Sequence, residues 1–286
     1  MDESQIKTID KNSAYYPTAW KTLADAPNEI GYLGDITLLQ KRKFTVVGSR
    51  TTPAQARKTG ATIAEQISRV FVVVTGVADG GDQAAIEGAL QGGGNVVCVL
   101  AGGFAHIPQS NLPLLREVAR KGLLLSPYPF DMPTRSFSYE HRNRLLALLG
   151  EGTLILGAAE KSGALITAKY AKEAGKPIFA LPYAPGAHAG VGCNRLIKDG
   201  AFLTETAADI FARMGVDTSV ETTKPVLSDV EQAIVDCLQE LSEAHVDELC
   251  LKTGIPVFRL RATLSALEVK GVAVALGGNR YAPIQK

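Results

Sequence analysis

Seven short apolar runs recur between residues 44 and 203: FTVV (44–47), VFVVV (70–74), NVVCVL (95–100), LLLS (123–126), TLIL (153–156), PIFAL (177–181) and AFL (201–203). Most are separated by stretches of about 10–15 residues with helical spacing, such as PAQARKTGATIAEQIS and ALITAKYAKEAG. A strand that is apolar at every position has no polar face to give to water, so both faces of its sheet must be covered. Intervening helices supply that cover, and also the long crossover that parallel strands need. The pattern predicts an α/β chain with a doubly wound parallel sheet over residues 41–214, preceded by an N-terminal extension, residues 1–40. Gly175 stands where the helix over ALITAKYAKEAG should end and is expected just beyond it.

The rhythm changes after Met214. Residues 215–226, beginning GVDTSVETTKP, have the turn-rich, apolar-poor composition of a linker. From Leu227 three helical stretches follow (228–241, 244–252 and 256–270), with a turn at Gly254 between the last two, and then a hairpin about LGGN. Three helices and a hairpin describe a small winged helix-turn-helix domain, residues 227–286. Leu260, Leu264 and Leu267 recur at i, i+4 and i+7, so one face of the third helix is core. This domain carries six basic residues against eight acidic ones, a net charge of −2. A groove-reading module normally presents a basic footprint, which argues against a transcription factor working through this domain.

Hydrophobic content of 46% and charged content of 21% describe an ordinary globular chain, and a net charge of +1 gives no global attraction to nucleic acid or membrane. Any anion site must therefore be a local cluster. No apolar run approaches the roughly 20 residues that span a bilayer, and the polar start MDESQIKTIDKNS is unlike a signal peptide. Cys98, Cys193, Cys237 and Cys250 are scattered without CxxC spacing, which suits a reducing cytoplasm and weighs against both a zinc site and a disulfide framework. The four histidines share no metal-ligand spacing, so no metal and no cofactor is expected.

In an open α/β sheet, ligands bind beyond the carboxyl ends of the strands. Those ends are rich in glycine here: VVGSRTT, TGVADGGD, LAGGF, LGAAEKSGA and LPYAPGAHAGVG. The first places Gly48, Ser49 and Arg50 after a strand, with Thr52–Pro53 as N-cap and first residue of the next helix. The dinucleotide fingerprint GxGxxG and the P-loop GxxxxGK[ST] are both absent. Cations take their place. Arg142 and Arg144 lie in YEHRNRLLALLG, where Ser138 is a reasonable N-cap, putting both arginines in the first turns of a helix. The dipole there disfavours cations by a few tenths to about 1 kcal/mol, so a bound polyanion is expected to gather them. Lys161 and Ser162 precede a helix starting near Ala164, and Arg195 and Lys198 lie in GCNRLIKDG. Several loops aiming cations at one rim suit a nucleic-acid backbone better than one small cofactor.

These motifs resemble the DNA-processing protein A (DprA/Smf) family. VVGSR is similar to its first-strand turn, TGVADGGDQAAIEGAL to its Ser-Gly-x-Ala-x-Gly-Ile-Asp segment, HRNRLLALL to its Arg-Asn-Arg helix, SGALITAKYA to its Ser-Gly-Ser-Leu-Ile-Thr-Ala segment, and GVGCNRLIKDGA to its late Gly-x-Asn-x-Leu-Ile segment. The resemblance implies a Rossmann-like domain binding single-stranded DNA, a C-terminal winged helix, homodimerisation, and delivery of the strand to the recombinase RecA in natural transformation. It implies Arg50 as a principal DNA contact and Tyr139 as a base-stacking aromatic, with Asn143 and Gly163 among the motif residues and Arg135 near a basic position of the family. Four positions depart from the pattern: Ile86 for the usual His, Gly157 for a glutamate, Ile107 in place of Tyr, and Pro127 in place of Glu. These sites line the same crevice, so the departures allow a divergent paralogue with an altered ligand.

Two rival functions share these elements. A Rossmann-type N-glycosidase acting on nucleotides would need a catalytic glutamate in the loop EKSGALITAKYA, where there is none. Asp79, Asp82 and Glu160 are the only acids nearby, and Asp82 is expected as a helix N-cap. A nucleotide-derived ligand sensor is the other alternative. The expectation is a protein that binds DNA without catalysis.

Overall fold

The computed structural model describes residues 1–216 and 227–284. Most of the expected linker, residues 217–226, lies outside the described residues. The chain divides into two compact units, Met1–Val216 and Asp217–Lys286.

In chain order the first unit contains β1 (Lys7–Asp10), α1 (Thr18–Lys21), β2 (Glu29–Gly34), β3 (Lys43–Val47), α2 (Ala54–Ser68), β4 (Val72–Thr75), α3 (Gly81–Gln91), β5 (Val96–Val99), α4 (Leu112–Lys121), β6 (Leu123–Ser126), α5 (Ser136–Leu149), β7 (Thr153–Ile155), α6 (Gly163–Glu173), β8 (Ile178–Ala180), α7 (Val191–Lys198), β9 (Phe202–Leu203) and α8 (Ala207–Arg213). Among the described residues the strands form one sheet in the order β1-β2-β6-β5-β4-β3-β7-β8-β9. Every pairing from β6 to β9 is parallel, while β1–β2 and β2–β6 are antiparallel.

The two-sided burial follows from the alternation of side chains along each strand. In β4, Val72 and Val74 enter one core with Leu145 and Ala168, whereas Val73 enters the other with Ile63 and Leu115. Residues 1–40 are not an appendage. Their two strands widen the sheet, and Trp20 is fully buried with its indole N–H donating to the Leu145 carbonyl at 3.0 Å. Gly175 takes φ +68° one residue past the C-cap of α6.

Three helix starts differ from expectation. Helix α2 begins at Ala54 with Pro53 as N-cap, and the Thr52 hydroxyl instead donates to the Ser49 carbonyl at 2.8 Å. Helix α5 begins at Ser136, so Ser138 is its third residue; the Ser138 hydroxyl accepts from Arg135 N–H and donates to the Arg135 carbonyl. Helix α3 is capped by Gly80 at φ +84°, a conformation that favours glycine, and Asp82 lies inside the first turn.

The second unit contains α9 (Asp229–Leu241), β10 (Ala244–His245), α10 (Val246–Thr253), α11 (Val257–Val269), β11 (Ala273–Gly277) and β12 (Arg280–Pro283), with the strands ordered β10-β12-β11. Ala244 and His245, expected to open a helix, pair with β12 instead. Leu260, Leu264 and Leu267 are all fully buried, against Ile234, Leu238 and Leu249. The arrangement is a winged helix.

Candidate functional site

The strand order reverses at β3 and β7, and the gap between their carboxyl ends is where an open α/β sheet ordinarily takes its ligand. Here that seam is closed by the protein. Ser49 N–H donates to the Gly157 carbonyl at 2.8 Å, and Gly48 N–H donates to Asp82 Oδ1 at 3.1 Å. The loops touch so closely that a β-carbon on Gly48 would lie 2.8 Å from the Gly81 Cα. The Tyr183 hydroxyl donates to the Leu156 carbonyl at 2.6 Å. A β-carbon on Gly157 would lie 2.6 Å from Thr52 Oγ1 and 2.9 Å from the Tyr183 oxygen, which leaves no space for the glutamate expected there by resemblance. The seam thus engages the backbone N–H groups of Gly48 and Ser49, two residues expected among the ligand contacts. The departure at Ile86 is absorbed too, because that side chain is buried in the core beside Ile63.

Arg142, also expected among the ligand contacts, is almost fully buried. It lies in the second turn of α5 and is only 3% exposed, so it does not project from the rim. Its Nη1 donates to the Val99 carbonyl at 3.0 Å and its Nε to Asn143 Oδ1 at 3.0 Å. Its charge is balanced from within. A β-carbon on Gly76 would collide with both the Arg142 guanidinium and the Asp82 carboxylate, so the two charges flank that glycine. Asp82 is no N-cap. Its oxygens accept from Gly48 N–H and Ala78 N–H, at 3.1 and 3.3 Å, tying the loops after β3 and β4 together. Burial pushes the Asp82 carboxyl above its ordinary range, opposed by Arg142, those two N–H groups and Arg50. The internal carboxylate thus does for Arg142 what a bound polyanion was expected to do.

The open concavity lies to one side, beyond β4 and β5. It is a cleft of about 110 Å³ lined by Val77, Leu100, Ile107 and Pro108, with Arg50, Tyr139 and Arg142 among its polar residues. Asn111 Nδ2 donates to the Val77 carbonyl at 2.7 Å and His106 Nε2–H to the Asp131 carbonyl at 2.7 Å, fixing two of its walls. At the mouth, Arg50 is exposed and its guanidinium carbon stands 5.7 Å from the centre of the Tyr139 ring, with Nη2 donating to the Tyr139 hydroxyl at 3.2 Å. Tyr139 is 38% exposed. A cation poised over an aromatic face at the edge of an apolar cleft can hold a phosphate and a flat ring together.

The remaining expected residues are dispersed. Arg144 donates to Asp25 Oδ1 at 2.9 Å and lies over the Tyr170 ring, so it is not part of the cleft. Asn143 links α5 to α6 by donating to the Gly163 carbonyl at 3.1 Å, and Ser162 caps α6 by accepting from Ala164 N–H. Lys161 is exposed before α6; Arg195 is exposed on α7, 4.0 Å from Asp199. Arg135 is exposed at the N-cap of α5, three residues before the buried Ser138. None of these lines the cleft. Sequence reasoning named Asp79 only as a nearby acid without a role and did not single out Thr134; both line the cleft. The glycine-rich string TGVADGGD marked the loop, but nothing in it distinguishes Asp79 from a solvated turn residue.

Among the described residues no three of His, Cys, Asp and Glu are grouped as a metal site, and no helix is long and apolar enough to cross a membrane.

A doubly wound, mostly parallel sheet with a sealed seam and a lateral cation-edged cleft, followed by a winged helix, defines a Rossmann-like protein with an appended winged-helix module. The chain belongs to the DNA recombination-mediator protein A family, whose model matches residues 7–215, and the DprA winged helix domain model matches residues 218–279. It is 35% identical to the DNA processing protein DprA of Bacillus subtilis over 226 residues, 78% of this chain and 76% of that protein. It is 30% identical to protein Smf of Escherichia coli over 290 residues, 97% of this chain and 78% of that protein. Two solved structures are similar. DNA processing protein A from Streptococcus pneumoniae gives a TM-score of 0.69 at 31% identity, covering 74% of this chain and 78% of that one. The Helicobacter pylori protein, solved for its single-stranded DNA binding mode, gives 0.67 at 28% identity, covering 74% and 97%.

Proposed function

We propose that the first unit binds single-stranded DNA across the carboxyl rim of the sheet, protects it, and passes it to the recombinase RecA during natural transformation and recombination. It acts in the cytoplasm, as a homodimer and without catalysis. The observation that carries this reading is the Arg50–Tyr139 pair at the mouth of the cleft. Arg50 is a long, exposed cation where a nucleotide-binding turn would offer glycine, which suits an extended phosphate chain. Tyr139 presents a half-exposed ring suited to stacking an unpaired base, an interaction of about 1–3 kcal/mol. Lys161, Ser162, Gly163, Arg135 and Arg195 are assigned as flanking backbone contacts that extend the path beyond the cleft. Membership of a recombination-mediator family and the strand-binding relative from Helicobacter pylori support the choice of ligand.

The test is a salt series with fluorescent oligothymidine read by anisotropy, on the wild-type chain and on Arg50→Ala. The wild type should bind with a steep salt dependence. Arg50→Ala should weaken binding about uniformly across sequences and reduce the salt slope by about one unit. An unchanged slope would remove Arg50 from the phosphate path, and absence of any anisotropy rise at low salt would end the strand-binding assignment. Mixing the strand-loaded protein with RecA and following filament formation tests the hand-over.

A further inference from the structure

Inside the proposed strand-binding cleft stands an acid. Asp79 lies in the loop after β4, exposed, and lines the same concavity as Arg50, Tyr139 and Arg142. Among the described residues it makes no hydrogen bond and no ion pair. A negative charge lining the same concavity as Arg50 opposes a phosphate, so Asp79 does not serve the backbone of a strand.

The other polar groups around it are largely engaged. Asn111 donates to the Val77 carbonyl and accepts from Ser110, Arg142 holds Val99 and Asn143, and Arg50 leans on Tyr139. The Asp79 carboxylate therefore remains with both oxygens available, at the edge of a slot walled by Val77, Leu100, Ile107 and Pro108. A carboxylate is an acceptor only, and two parallel N–H donors are its best partner. Of the four bases, guanine alone offers two adjacent donors on its pairing edge, the ring N1–H and the exocyclic amino group. Adenine and cytosine place an acceptor nitrogen beside their amino group, and thymine flanks its single N–H with two carbonyls. Each of those three would set an acceptor against the carboxylate. An unpaired base is free to present this edge, which a duplex hides.

We infer that Asp79 makes the cleft a guanine-reading slot, so that a strand otherwise held by its backbone is held in preferred register wherever a guanine can enter. This rests on the strand-binding function proposed above.

The test uses the full chain and a labelled oligothymidine of about 15 nucleotides, a length within the usual reach of single-strand binders. Its central position carries thymine, guanine, adenine, cytosine or hypoxanthine. The guanine strand should bind about tenfold tighter than the other natural ones, the discrimination expected of one bidentate contact. Hypoxanthine, which keeps N1–H and lacks the amino group, should lose most of that gain. Asp79→Asn, nearly isosteric, should bring the four natural strands to within about twofold of one another. Equal affinities in the wild type, or a guanine preference that survives Asp79→Asn, would overturn the inference. Free dGMP that displaces the labelled strand at micromolar concentration would assign the slot to a free nucleotide and overturn it as well. If no strand binds at all, the failure belongs to the function proposed above and is seen as missing binding, not as missing preference.

Discussion

Arg142 brings a full positive charge into a place from which water is excluded, and it is tolerated because Asp82 waits on the far side of Gly76. Removing one member of a buried charge pair leaves the other uncompensated, which is far more destabilising than losing a surface pair. Asp82→Ala would strand Arg142 and also free the N–H groups of Gly48 and Ala78. The expected loss is about 3–5 kcal/mol in the first unit, measured by urea unfolding followed by circular dichroism. Arg50→Ala, an exposed change, should leave the same unfolding free energy within about 0.5 kcal/mol. Two arginines that read alike in the sequence thus have opposite assignments: one is expected to change stability, the other affinity.

Helix α9 shows how a short string sets both a boundary and a pH response. Ser228 accepts from Glu231 N–H, and the Glu231 carboxylate accepts from Ser228 N–H at 2.8 Å, a reciprocal cap that closes the first turn. Lys270 holds the same carboxylate at 2.6 Å, and its hydrogen bond, ahead of those from Ser228, lowers the Glu231 carboxyl from 4.5 to about 2. A folded value below the unfolded one means that the contribution is complete above pH 4.5 and is lost as pH falls toward 2. Amide signals of residues 228–241 in the full chain should therefore lose protection across that window, and Glu231→Gln should flatten the change. The sequence carried such elements well where the signal is local. The mostly apolar strands β3 to β8, the αL glycine after α6 and the Leu260–Leu264–Leu267 face all follow from neighbours within one turn or one strand. Strands β1 and β2 were hidden because each buries a single residue, Ile9 and Ile30, and their apolar content is too sparse to show a period. The burial of Arg142 was hidden for the converse reason. Its helix starts earlier than Ser138 suggested, and its carboxylate partner comes from a different element, at a distance in sequence that no spacing rule reaches. The cleft was legible only in part: Arg50 and Tyr139 announce themselves, while the closure of the seam depends on Tyr183 and Thr52 crowding Gly157.

At the scale of the whole molecule the two units divide the charge unequally. The winged helix presents Val257 and Phe258, 45% and 77% exposed, in the first turn of α11. That is the position from which a groove-reading helix normally reaches base edges, and neither side chain can donate a hydrogen bond. Residues 1–216 alone are accordingly expected to keep oligothymidine affinity within about threefold of the full chain, because the cations proposed to face phosphate lie in that unit. Loss of nearly all binding on truncation, in the same anisotropy assay, would move the assignment to the second unit.

The sealed gap between β3 and β7 also bears on how this protein could be blocked. Nucleotide mimics shaped for the midline of an α/β sheet would meet packed backbone there. On the strand-binding function proposed above, a compound meant to compete would be flat, carry an anionic arm for Arg50, and enter laterally beside Tyr139. Selectivity over ordinary dinucleotide enzymes would then come from the address itself, since those proteins keep their own cofactor at the midline.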